Sequence, residues 1–271
     1  DPIFDRPLVV AQGKLPTVGK EGSLRFLIST ERELRPTILP DGTADYKKLG
    51  YVNNVEKGQP LCEIIPPEKG EDGINVYGQV LEGIYGKAAP SPQGTGTEIT
   101  PDGKLLVAAV AGNAVVSKNV VTVQEVLKIK GNVDNSTGDI YFVGDVQVDG
   151  DVVSGFTISG TNLIIRGNVE GATLIAAGDV TLAQGMNGMN RGTITATGNV
   201  RAKYLQNCTV KAEGDIYADY IMYSHLECDG NVELSGKRAA LIGGRSYIAG
   251  RLIAKTIGTE AHTATEINMA I

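Results

Sequence analysis

Any chemistry in this sequence would have to come from few residues. Asp145, Asp149 and Asp151 stand close together, and Asp149 and Asp151 share one side of an extended chain, an arrangement that suits acids gathered on a sheet face to cleave a polysaccharide. Each, however, flanks a glycine, in Gly144-Asp145 and Asp149-Gly150-Asp151, where turn chemistry alone calls for an acid. His225 is a candidate base with no partner residue in view, and His262 sits in a polar tail. None of Gly19-Lys20, Gly86-Lys87, Gly103-Lys104 or Gly236-Lys237 is followed by Ser or Thr, so no phosphate loop is written, and Gly94-Thr95-Gly96 has Ile99 where a third glycine belongs. Cys62, Cys208 and Cys228 lie far apart without CxxC spacing, which excludes a legible zinc site or disulfide framework and fits a reducing cytosol. The sequence therefore names no catalytic residue, no cofactor and no metal ligand.

Charge offers a different kind of site. Lys237, Arg238, Arg245, Arg251 and Lys255 lie in a stretch with no acid between Glu233 and Glu260, in a chain of net charge −6. Such a patch suits an acidic protein surface, an anionic lipid face or a phosphate-rich ligand. Its plainer role is a solvated face that caps the fold and blocks end-to-end stacking. Tyr217, Tyr220 and Tyr223 cluster in sequence and form a second candidate contact patch. The overall acidity argues against a nucleic-acid coat, because neutralising phosphates needs a surplus of Lys and Arg over a face.

The elements that must position these residues come from a repeat. The pattern apolar-x-(apolar or small)-x-Gly-(Asp or Asn)-(Val or Ile) runs from Leu127–Val133, through Ile140–Val146, Val146–Val152, Leu163–Val169, Leu174–Val180, Ile194–Val200 and Val210–Ile216, to Leu226–Val232. Alternating apolar residues on each side of the glycine have the period of a strand with one buried face. Glycine allows a corner with positive φ, and Asp or Asn tolerates such corners. One unit cannot bury its own apolar face, so units must stack in parallel as a solenoid, with side-chain ladders along the aligned corners. Glycines 178, 198, 214, 230 and 250 fall 20, 16, 16 and 20 residues apart, too irregular for a hexapeptide helix, which favours a right-handed parallel β-helix. The spacings of 7, 6 and 6 from Gly131 through Gly138 and Gly144 to Gly150 suggest a meander or half-coils where the stack begins. Burial at roughly 1.5 to 3 kcal/mol per apolar side chain would drive the stacking.

Residues 1–125 read as a smaller β-rich N-terminal domain, with turns at Pro40-Asp41-Gly42, Pro66-Pro67, Gly70–Gly73 and Pro101-Asp102-Gly103. In Val55-Glu56-Lys57-Gly58-Gln59-Pro60-Leu61 the glycine turns a strand while Val55 and Leu61 point inward. Residues 126–258 form the β-helix, and 259–271 a tail that reads as a closing strand or the start of a helix. The fold class is all-β. No stretch reaches the roughly 20 apolar residues that cross a bilayer. The opening Asp1-Pro2 is compatible with a fragment or a processed chain.

The motifs Asp45-Tyr46-x-x-Leu49, Val55-x-x-Gly58-Gln59-Pro60-Leu61, Pro66-Pro67-x-x-Gly70, Val76-x-Gly78, Asp102-Gly103-Lys104-Leu105, Ile242-Gly243-Gly244 and, most specifically, the run from Gly131 to Val146 stand together in this chain. In these the sequence resembles the flagellar assembly protein A family. The resemblance implies a cytoplasmic bacterial protein of flagellar or cell-pole assembly, acting through protein partners of unknown identity, with homo-oligomerisation left open. Two functions follow as expectations: a non-enzymatic scaffold or protein-interaction module, and, as the alternative, a carbohydrate-binding or polysaccharide-active β-helix.

Overall fold

A computed structural model describes residues 9–30, 37–38, 44–45 and 52–269, with only the backbone at 37–38 and 44–45. Asp1-Pro2, the Pro40-Asp41-Gly42 turn, and Tyr46 and Leu49 of the family motif lie outside the described residues. The chain divides into two compact units, one of Asp1–Thr30, Lys57–Ala109 and Val115–Thr122, the other of Glu31–Glu56, Val110–Ala114 and Val123–Ile271. Among the described residues every regular element is a strand.

In the first unit Ser23–Phe26, Pro60–Ile65, Leu105–Ala108 and Thr97–Ile99 pair in that order as an antiparallel sheet. Gly58 takes φ +85° to turn the chain into Pro60–Ile65, and the following strand buries Leu61 and Cys62 while Leu106 and Ala108 close the same core. A positive φ costs glycine little, because it has no Cβ to clash.

The second unit contains the parallel solenoid that the repeat calls for. Its first side is a column of eight strands: Val126–Ile129, Asp145–Val148, Leu163–Ile165, the starts of Val180–Ala196 and Val200–Ala212, then Ile216–Ala218, Val232–Leu234 and Leu252–Ile253. Their register stacks Leu127, Val146, Leu163, Val180, Val200, Ile216, Val232 and Leu252 one above the other. The second side stacks Val133, Val152, Val169, Met186, Leu205, Ile221 and Leu241. The third stacks Ile140, Ile158, Leu174, Ile194, Val210 and Leu226. Side chains alternate across a strand, so one residue in two points inward, and these columns merge into one continuous apolar core. Thr265–Met269 is a strand and pairs in parallel with Ala240–Ile248 on the third side.

The corner glycines have a different reason from the one expected. None of Gly131, Gly144, Gly150, Gly167, Gly178, Gly198, Gly214 or Gly230 has a positive φ. Seven of the eight, all but Gly131, leave no room for a Cβ: at Gly198 it would stand 2.2 Å from Asp179 Oδ1, and at Gly214 2.7 Å from the carbonyl carbon of Gly198. Gly131, at the start of the stack, would meet nothing within 4 Å. Nor are the short spacings near Gly131 half-coils. Gly150 donates its N–H to the Gly131 carbonyl at 3.1 Å, one full turn on, while Gly138, at φ +70°, and Gly144 mark the other two corners of that turn.

At the corner entering the first side, Asp and Asn alternate along the stack. Asp145 Oδ1 accepts from Asn162 N (3.1 Å) and Nδ2 (2.9 Å), Asn162 Oδ1 from Asp179 N (2.9 Å), and Asp179 Oδ1 from Asn199 N (2.7 Å). Asn199 Oδ1 accepts from Asp215 N (2.9 Å), Asp215 Oδ1 from Asn231 N (2.7 Å) and Nδ2 (3.0 Å), and Asn231 Oδ1 from Arg251 N (2.9 Å). The corner leaving the first side repeats the device with Asn132, Asp151 and Asn168. Strands about 4.8 Å apart would set neighbouring carboxylates against one another, and an intervening amide both separates the charges and donates to them. The first turn is closed by Asn54, whose side chain donates to Tyr141 O (2.8 Å) and accepts from Val143 N (3.3 Å), as a further strand would.

Two measurements test this account. Gly214→Ala is expected to cost about 1 to 3 kcal/mol by overpacking, and Gly131→Ala about 0.5 kcal/mol or less; urea unfolding of the two variants compares them. Asn199→Asp places a carboxylate between Asp179 and Asp215, so its folded pKa rises above the unfolded value. Its thermal midpoint is expected to fall below that of the parent at neutral pH and to rejoin it as acidification protonates the new group.

Candidate functional site

The corner ladders account for two of the three acids that looked catalytic. Asp145 and Asp151 spend Oδ1 on the next turn, and Asp149 pairs with Arg166 Nη1 at 2.9 Å while accepting from Gln147 Nε2 at 3.0 Å. His225 lies on the outer surface of the third side, its Nε2 3.5 Å from Glu227 Oε1 and its ring edge-on to Tyr247 with centroids 5.8 Å apart. It overlooks an open depression of about 720 Å³ lined also by Arg245, Asp229 and Asn268. Two ion pairs lie around it: Arg245 Nε meets Glu266 Oε2 at 2.8 Å, and Lys211 Nζ meets Glu227 Oε2 at 3.5 Å. Asn268 and then Arg245 hold the Glu266 carboxyl below its ordinary range. Burial pushes the Cys208 thiol up to about 11 and raises Cys62 and Cys228 as well, which leaves none of the three as a ready nucleophile. Among the described residues no cluster of His, Cys, Asp and Glu is placed to hold a metal ion.

The basic stretch divides. Arg245 faces out from the third side into its ion pair. Arg251 stands where the Asx ladder ends, its backbone N–H on Asn231 and its guanidinium without a partner among the described residues. Lys237, Arg238 and Lys255 come together at the corner leaving the first side. The tyrosines also divide, since a step of three residues carries the chain round the turn. Tyr217 donates its hydroxyl to Asp215 Oδ2 at 2.9 Å, beneath Arg201, whose guanidinium carbon is 4.0 Å from the ring centroid. Tyr220 stacks on Tyr204 with centroids 5.7 Å apart and planes 13° from parallel. Tyr223, at φ +51°, lies against Gly243 of the next turn, where a Cβ would come within 2.7 Å of its ring.

The corner that collects Lys237, Arg238 and Lys255 is built by an insertion. The turn from Asn231 to Arg251 is 20 residues long, against 16 for the turn before it. In the earlier turn Asp219 alone separates Ile216–Ala218 from Tyr220–Cys228; in the later one residues 235–239 separate Val232–Leu234 from Ala240–Ile248. The loop is anchored at both ends. Asp219 Oδ1 accepts from Arg238 N (2.9 Å) and Ala239 N (3.1 Å), and Lys255 Nζ donates to Gly236 O at 2.8 Å. Arg238 turns back over the Tyr220 ring, 4.6 Å from its centroid. One turn below, Lys203 occupies the register of Asp219, whose N–H it accepts at 3.0 Å. Lys203, Lys237, Arg238 and Lys255 are all exposed, and the Asp219 carboxyl is held below its ordinary range by the N–H groups of Ala239 and then Arg238.

Lys203, Tyr204 and Asp219 were not singled out from sequence. The available signal was the 20-residue interval from Gly230 to Gly250: aligning it with its 16-residue neighbour exposes the extra loop and the residues beneath it.

The comparisons with known proteins agree with this architecture. Residues 125–271 match the family described as Flagellar Assembly Protein A beta solenoid domain, and residues 3–119 the one described as Flagellar Assembly Protein A N-terminal region. No curated protein and no solved structure matches the chain.

Because its folded pKa is depressed, Asp219 stabilises the loop at all pH values above the ordinary aspartate range, and that contribution is lost as pH falls through the folded value. Amide exchange at Ala239 is expected to accelerate, relative to the Asp215 amide that the Asn199 side chain holds, once the Asp219 carboxyl protonates. In Asp219→Asn, which keeps the Oδ1 acceptor, that acid step is expected to vanish.

Proposed function

Since the chain belongs to the flagellar assembly protein A family, we propose that it is a non-enzymatic scaffold of flagellar or cell-pole assembly, holding protein partners on the solenoid in the bacterial cytoplasm. The observation that carries this reading is the stack itself. Eight strands in register give a stiff surface, each turn fixed by its neighbours through corner ladders and one apolar core. On such a surface, side chains at defined heights recognise partners without a pocket.

The alternative, a polysaccharide-active β-helix, has less support. The acids at the corners are taken up by backbone amides, and the outer charges near His225 are paired with one another. Among the described residues no helix is long and apolar enough to cross a membrane.

Affinity capture with the full chain from its own host, followed by mass spectrometry, is expected to recover flagellar or polar assembly proteins, alongside a turnover screen on cell-wall and extracellular polysaccharides that stays flat. Recovery of no such protein, or clear polysaccharide turnover, would overturn the scaffold reading.

A further inference from the structure

Four cations gather on a single corner of the solenoid, and they come from separate turns. Lys203 lies on one, Lys237 and Arg238 two turns on, and Lys255 on the next, so the edge rises through three strand steps, about 14 Å at the usual spacing. Lys237 stands at the crown of the inserted loop with no partner among the described residues, and Lys203 is likewise unpaired. The loop is held from below by Asp219 and from above by Lys255, so its cations are presented on an ordered backbone. Asp219 turns its Oδ1 to the loop amides, so its charge is already engaged.

We infer that this corner is a docking edge for an acidic, extended peptide segment of a protein partner, an inference that rests on the scaffold reading above. The length fits: at about 3.3 Å per residue, four or five extended residues span the edge, and acids at alternate positions face the same way. Charge complementarity of this kind sets specificity and association rate.

Other anions fit less well. Nucleic acid bound without sequence preference stacks bases on open aromatic faces. Here Tyr204 and Tyr220 are stacked on each other and Arg238 covers the Tyr220 ring. A long polyanion would also meet a molecule whose net charge is −6. Residues 235–238, Ser-Gly-Lys-Arg, carry no apolar side chain to enter a bilayer.

Fluorescence anisotropy of a labelled oligo-glutamate peptide with the full chain tests the inference. Binding is expected at low ionic strength, weakening as salt is added. The double variant Lys203→Glu/Lys237→Glu is expected to weaken it by about tenfold or more. Lys128→Glu/Arg251→Glu reverses as many charges away from this corner and is expected to leave it unchanged. Equal weakening by both would mean that only net charge matters and would overturn the docking edge. So would failure of the peptide to bind, or tighter binding of oligo-thymidine or of phosphatidylglycerol vesicles. If the double variant still captures the same flagellar proteins from host extract, the docking edge falls while the scaffold reading stands.

Discussion

In this solenoid the controlling constraint is the distance between one turn and the next. Parallel strands set that distance at about 4.8 Å, and at the corners, where the chain bends, the backbone of one turn lies directly on that of the turn below. Gly198 donates to Gly178 O at 3.0 Å and Gly214 to Gly198 O at 3.1 Å, so a side chain at either position would occupy space already filled. Glycine at these corners is a packing requirement between turns. The same closeness lets a single Asx side chain reach the next amide, so the corners that exclude Cβ atoms also carry the ladders.

Electrostatics then restricts what the ladders contain. An unbroken column of carboxylates at this spacing would repel itself, and an unbroken column of amides would lack the stronger, charge-assisted acceptors. The observed order Asp145, Asn162, Asp179, Asn199, Asp215, Asn231 avoids both. The column ends at Arg251, which donates its own N–H but offers no acceptor to a further turn. Acids that catch the eye in the sequence are thereby committed to structure, which is why their number says little about catalysis.

The repeat was legible because it depends on local pattern: alternation within each strand and a small residue at each corner. Why the glycines are there was not legible, since nothing local separates a glycine needed for φ, such as Gly138 or Gly58, from one needed for clearance, such as Gly214. Candidate surfaces were read as linear clusters, and a coil of this kind disperses them. Arg245 and Arg251 are six residues apart yet lie on a side and a corner that face differently, whereas Lys203 and Lys237, far apart in sequence, share an edge. Only the register of the turns, which needs the whole stack, shows which residues are neighbours.

A solenoid also limits where a specific surface can arise. Regular turns repeat the same environment, so one turn is much like the next, and distinctiveness enters where the repeat is broken. Two turns of the solenoid run to 20 residues. In the earlier, from Asp179 to Asn199, the extra residues fall in the register shifts between Leu182 and Gly185 and between Asn187 and Gly192, with Met189 and Asn190 at positive φ. In the later, they fall in a single loop that carries Lys237 and Arg238 and is tied down by Asp219 and Lys255. Both insertions leave the inward columns in register, so the core is indifferent to them. An insertion that the core does not need, placed at a corner and fastened at both ends with its charges outward, is the part of the structure that stability alone does not explain.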